Sequence, residues 1–156
     1  MEFSRRQLCL LLPALLTAIP GFPAGTEALP AKVYPFADLT GHRHGGSESW
    51  PVLDGLTHSG FQIELHETQL APGARPHPPH HHVHEEIFLM KEGSVEVTIA
   101  GKNTRIGPGG VAYIASNVEH GVLNVGNSSA SYFVIALGTD RPSPQARARP
   151  EGTAKS

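Results

Sequence analysis

Five histidines fall between His77 and His84, and two carboxylates, Glu85 and Glu86, follow directly. Within that crowd His80-x-His82-x3-Glu86 has the residue types of a metal site, because imidazole nitrogen and carboxylate oxygen together suit a borderline or hard divalent cation. In an extended segment successive side chains alternate sides, so positions 80, 82 and 86 share parity and can enter one cavity. His77, His81 and His84 are surplus to that set and read as rim or surface histidines. Of the three, His84 shares the ligands' parity and is best placed to face the cavity. A first-row metal takes further protein ligands or completes its shell with water, and His120 is the only histidine after His84.

The elements that must hold these residues are short strands between turns. Residues 85–91 read as a strand carrying Glu86, with Glu92-Gly93 as its turn. Residues 94–100 alternate Val95, Val97 and Ile99 against Ser94, Glu96 and Thr98, the pattern of a half-buried strand. Gly101-Lys102-Asn103 turns the chain back, and Gly107-Pro108-Gly109-Gly110 is a sharp turn before a strand at 111–115. Residues 120–125 form the strand that carries His120, followed by a Gly126-Asn127 turn. Residues 131–137 are apolar on both faces, as in a strand in the middle of a packed sheet.

Upstream, residues 61–70 read as a strand with Gln62, Glu64, His66 and Thr68 on one face and Phe61, Ile63, Leu65 and Glu67 on the other. Polar groups facing a core are costly unless partnered. Glu64, His66 and Glu67 therefore either project into a metal cavity or face water. Residues 32–60 are weakly patterned: Lys32 to Phe36 is expected as a short edge strand, and 41–49 as a polar loop exposing His42 and His44. Trp50-Pro51-Val52-Leu53 is a short apolar patch before an Asp54-Gly55 turn. With 17 glycines and 14 prolines, the composition suits many turns and few helices. Regularly spaced short strands of this kind predict an all-β sandwich or barrel.

The first 31 residues read as an address. Ser4-Arg5-Arg6-Gln7-Leu8 precedes an apolar stretch from Leu8 to Ile19 that is too short to span a membrane and fits a signal-peptide core. The Ser-Arg-Arg-x-Leu start resembles a twin-arginine signal. Small residues recur from Ala24 to Ala31, so several cleavage points fit. About 125 residues then remain, enough for one domain with one core. The single cysteine, Cys9, lies in the leader, so the mature chain is expected to hold no disulfide, no thiol nucleophile and no sulfur-bound zinc. A formal net charge of −2 shows no basic face for nucleic acid, and no membrane contact is expected once the signal is removed. Residues 139–156, with four basic residues, three prolines and nothing apolar beyond alanine, are expected to be a disordered tail.

The run from His80 to Gly93, His80-x-His82-x3-Glu86-x6-Gly93, together with Gly109-x5-Ala115-x-Asn117-x2-His120-x3-Asn124, resembles the two motifs of the cupin superfamily. Gly73 stands for the leading glycine of the first motif, with one extra residue before His80. Ala115 replaces the usual proline of the second motif and Asn117 the usual glycine, and Asn tolerates a left-handed backbone better than most residues. The resemblance, which covers roughly residues 61–137, implies a cupin jelly roll in a single domain over 32–138, with one divalent metal per chain on His80, His82, Glu86 and His120. It also implies a small-molecule ligand and, as often among small single-domain cupins, a homodimer with apolar stretches such as Val33 to Phe36 at its interface.

Three imidazoles and one carboxylate leave coordination positions free on an octahedral metal. Manganese or iron is favoured, with zinc, nickel or copper as alternatives. The leading expectation is an exported metal-dependent enzyme, dioxygenase-like, with isomerase, decarboxylase and lyase chemistry also open to the family. Glu64, His66 and Tyr113 are the candidate catalytic residues beyond the ligands, and Phe88, Met90, Tyr113 and Tyr132 the expected pocket lining. Two alternatives stand beside it: a metal- and ligand-binding module without turnover, and a periplasmic metal scavenger using the surplus histidines. A fold alone does not choose among them.

Overall fold

A computed structural model describes residues 28–138. Residues 1–27, most of the expected signal segment of 1–31, and the expected tail at 139–156 lie outside the described residues. The described residues fold as nine strands: β1 (His42–His44), β2 (Ser47–Leu56), β3 (Gln62–Leu70), β4 (Glu85–Glu92), β5 (Val95–Ile99), β6 (Lys102–Ile106), β7 (Val111–Ile114), β8 (His120–Leu123) and β9 (Ala130–Leu137). The one helical turn among the described residues is the 3-10 turn Phe36–Asp38. A six-stranded sheet runs β1-β2-β3-β9-β4-β7 and a three-stranded sheet runs β6-β5-β8. All strand pairs are antiparallel.

The two sheets close on one apolar core, with Leu70, Phe88, Met90, Ile114, Tyr132 and Val134 from the large sheet and Val95, Val97 and Val122 from the small one. Each fully buried side chain of this size is worth about 1.5–3 kcal/mol. Burial of this core therefore holds the sandwich together, and one end is free to carry polar groups. The β4 alternation follows the pleat: Phe88 and Met90 are buried, whereas Leu89 is 38% exposed on the outer side. The central position expected for residues 131–137 holds, since β9 lies between β3 and β4.

Three local expectations are corrected. Lys32 to Phe36 forms no strand; Pro35 offers no N–H to a ladder and instead opens the 3-10 turn, with Asp38 N–H donating to Pro35 O. The expected loop at 41–49 is a hairpin, β1 turning through Gly45-Gly46 into β2, with Gly45 at φ +57. The polar segment Lys102–Ile106 is a strand, not merely a turn: Ala100 and Gly101, at φ 48 and +78, make a two-residue hairpin loop that lays it on β5. Ala28 also meets the fold, bridging Leu56 in parallel, and Leu29 N–H donates to Leu56 O at 2.8 Å. Among the described residues no helix is long and apolar enough to cross a membrane.

Candidate metal centre

The four candidate ligands come from three places. Glu86 projects inward from β4, on the same face as Phe88 and Met90. His120 opens β8, where it is 1% exposed. His80 and His82 lie in the irregular segment before β4, not in a strand. His80 is nonetheless locked to the small sheet, because it exchanges two backbone hydrogen bonds with His120 at 3.0 and 2.9 Å. His82 O accepts from Asn117 N–H at 2.8 Å, and Asn117 takes the left-handed φ of 61 that its motif position requires. These ties alternate the side chains as expected: His82 and His84 are half-buried, whereas His81 and Val83 are exposed.

The side chains of His80, His82 and His120 bring one ligand atom each within 4.8 Å of one another. Glu86 Oε2 lies 3.2 Å from His120 Nε2 and 3.4 Å from His82 Nε2. The ring tautomers suit metal binding. His82 Nδ1–H donates to His84 O at 2.8 Å and His120 Nδ1–H donates to Val118 O at 2.9 Å, which turns both Nε2 atoms toward the cluster. Two buried nitrogens, His80 Nδ1 and His82 Nε2, have no hydrogen-bond partner. Buried unpaired polar atoms are rare and call for an explanation. A divalent cation among these four residues supplies it, so the residues fit the implied metal.

The electrostatics agree. Burial, then the neighbouring imidazoles of His77, His120 and His82, push the His80 pKa down to about 4, which keeps the ring neutral and its lone pair available. Burial alone would raise the Glu86 pKa, but hydrogen bonds from His120 and His84 and the charge of His82 and His120 override it and hold the carboxyl at about 2. For His120 burial is again outweighed, here by bonds to Glu86 and Val118 O, and its pKa rises. Metal binding at His120 therefore competes with its protonation.

Beside the cluster lies a cavity of about 300 Å³. Its floor is a row of paired residues across the large sheet: His42 opposite Ser49, Ser49 opposite Thr68, Thr68 opposite Tyr132. Phe88, Val122 and Val134 add apolar wall, and Glu86 and His120 reach it from the cluster. His66 lines it too, with its Nδ1 3.1 Å from Glu64 Oε1. Of the three candidate catalytic residues, His66 is at the cavity and Glu64 is its exposed partner. Tyr113 is not there: it is 53% exposed on the outer face of β7, where a bond to Glu85 raises its pKa. Strand parity excludes it, since its neighbours Ala112 and Ile114 point inward. Met90 also does not line the cavity and belongs to the core, whereas Phe88 and Tyr132 line it as expected. Glu67 takes neither expected position; it is buried and bonded to Lys91 Nζ at 2.9 Å.

Sequence reasoning missed His42, His44, Ser47, Ser49 and Thr68 as cavity residues. The signal was present in His42-x-His44-Gly-Gly-Ser47-x-Ser49, period-two alternation across a Gly-Gly turn.

Residues 66–136 match the family model described as a cupin domain. No curated protein sequence is detectably similar to this chain. Among solved structures, an RmlC-like cupin from Shewanella frigidimarina is 16% identical, with a TM-score of 0.59 over 70% of this chain and 93% of that one. A predicted oxalate decarboxylase from Thermotoga maritima is 21% identical, with a TM-score of 0.58 over 69% of this chain and 100% of that one. A sugar phosphate isomerase of the cupin superfamily from Silicibacter pomeroyi is 17% identical, with a TM-score of 0.55 over 69% and 76% of the two chains. The fold is the cupin jelly roll, and the domain match together with these neighbours supports the cupin superfamily.

Proposed function

We propose that this cupin is exported, binds one divalent metal through His80, His82, Glu86 and His120, and turns over a small molecule in the adjoining cavity, with a dioxygenase-like reaction leading. The observation that carries this reading is the convergence of three imidazoles and an ionised carboxylate, with two buried nitrogens lacking a hydrogen-bond partner, beside a cavity that His120 and Glu86 of the group line. A metal bound there supplies Lewis-acid polarisation and, where it is redox-active, oxygen activation. Manganese or iron is the proposed occupant.

The chain's own residues supply the rest. Phe88, Val122 and Val134 limit water in the cavity. Burial and the Glu86 charge raise the Tyr132 pKa, so its phenol stays protonated and acts as a hydrogen-bond donor rather than a base. His66, oriented by Glu64, is the proposed acceptor of a proton from the bound molecule. The twin-arginine-like start supports export to the periplasm or beyond. A homodimer is proposed as well, supported by Val33 and Phe36, which are 81% and 50% exposed.

The test is metal analysis of protein purified from its natural compartment, followed by oxygen uptake against phenols, diketones and small acids. One tight ion with substrate-dependent oxygen uptake is expected. One tight ion with binding but no turnover of any kind would favour the non-catalytic module. Several weak ions per chain would favour the scavenger.

A further inference from the structure

His84 touches two of the four ligands in three ways. Its carbonyl oxygen accepts the His82 Nδ1–H at 2.8 Å. Its ring lies parallel to that of His82, with 3.5 Å between centroids and 7° between planes. Its Nε2–H donates to Glu86 Oε1 at 3.3 Å. The other oxygen, Glu86 Oε2, is the one turned to His120 and His82. The carboxylate is thus divided, with one oxygen on the cluster and the other on His84.

A carboxylate tied through one oxygen offers a metal the other alone, whereas one free at both oxygens can chelate and fill two positions. His82, His84 and Glu86 also stand close enough to hold an ion themselves. His82, however, has one ring nitrogen committed to His84 O, and the remaining nitrogen is the one it offers to the group with His80 and His120. One nitrogen cannot serve two ions, so the two groups are alternatives.

We propose that His84 is a positioning residue of the metal centre: it restricts Glu86 to ligation through a single oxygen and thereby keeps a coordination position free for an incoming ligand. The inference rests on the reading that His80, His82, Glu86 and His120 bind a divalent ion. It assigns a role to one of the histidines that the ligand motif leaves over.

The probe is cobalt(II), added to the metal-free full chain. His84→Phe keeps a flat ring against His82 but removes the donor to Glu86; His84→Gln keeps an amide donor and removes the ring. Wild type and His84→Gln should each take up one cobalt with similar visible spectra. His84→Phe should take up one cobalt about tenfold more weakly. Its visible band should also be weaker, because Glu86 then fills two positions and the coordination number rises. Circular dichroism checks folding, and His84→Ala, which also lacks the donor, replaces the Phe variant if that one does not fold. A donor-free variant with the wild-type cobalt spectrum and affinity would overturn the proposal. Loss of cobalt from all His84 variants as complete as from His82→Ala would overturn it in another way, by making His84 itself a ligand. If wild type takes up no cobalt, it is the four-residue reading that fails, and the positioning role fails with it.

Discussion

His80 and His120, one before β4 and the other at the start of β8, face each other as a single backbone pair: each N–H donates to the other's carbonyl, at 3.0 and 2.9 Å, and their rings stand 4.7 Å apart. Two of the four proposed ligands are therefore set by the folding of the small sheet itself. An unfolded chain has no such pair, so cation binding and folding are linked.

The first prediction follows from which side chains reach the cluster. His82→Ala or Glu86→Ala should remove most bound metal, since each deletes one of four protein ligands. His81→Ala should leave metal content nearly unchanged, because His81 is exposed and faces away. Mass spectrometry of metal per chain checks this, and equal loss in all three variants would support the scavenger.

The second concerns acid. His80 is held at about 4 against an ordinary 6.5, so between those values the unfolded chain binds the proton more readily than the fold does. Stability from this residue is present above 6.5 and lost as pH falls towards 4. Glu86, lowered to about 2 from 4.5, adds stability that is present above 4.5 and lost progressively as pH falls from 4.5 through about 2. His120 has the opposite sign: its raised pKa stabilises the fold below 6.5, and that contribution disappears as pH rises through the folded value. Urea midpoints of chelator-treated protein should drop between pH 6.5 and 4, and His80→Gln should flatten the drop. An unchanged slope in the variant would refute the assignment.

The third concerns Asn124, which is fully buried. Its Nδ2 donates to Leu70 O and Ser128 O, both at 2.9 Å, and its Oδ1 accepts from Gly126 N–H at 2.9 Å. Asn124→Ala strands these groups, at about 1–3 kcal/mol for each one left unsatisfied. A total loss of about 3 kcal/mol in urea unfolding is expected, the two carbonyls being partly rescued by relaxation. A change under about 0.5 kcal/mol, as for an ordinary surface site, would rule out the tie.

The fourth joins the leader to the site. On the proposed twin-arginine route cargo is exported folded, so the metal would be captured in the cytoplasm, before exposure to the copper and zinc that nitrogen–oxygen sites bind more tightly than manganese or iron. Protein exported with its own leader should carry manganese or iron, and the same domain sent out unfolded behind a general secretory signal should carry more zinc or copper. The same metal in both would remove the argument for cytoplasmic loading. Continued export after Arg5→Lys with Arg6→Lys would remove the twin-arginine assignment.

The strands with apolar alternation were legible in the chain alone, as were the candidate ligands that the fold brings together and the parity that separates His82 from His81. Period two and ligand spacing are local properties, and the chain states them directly. Two polar strands carry no apolar period: Arg43 in β1, marked only by the polar alternation of His42 and His44, and Lys102 to Arg105 in β6 are exposed on folding. Nor did the chain place Tyr113 outside or His42 and Ser49 at the cavity, although residue types and turns were in view. Those placements depend on which strands become neighbours. Only the folded register puts His42 beside Ser49, Ser49 beside Thr68 and Thr68 beside Tyr132, because pairing is fixed by burial of the shared core between two sheets and not by any stretch acting alone.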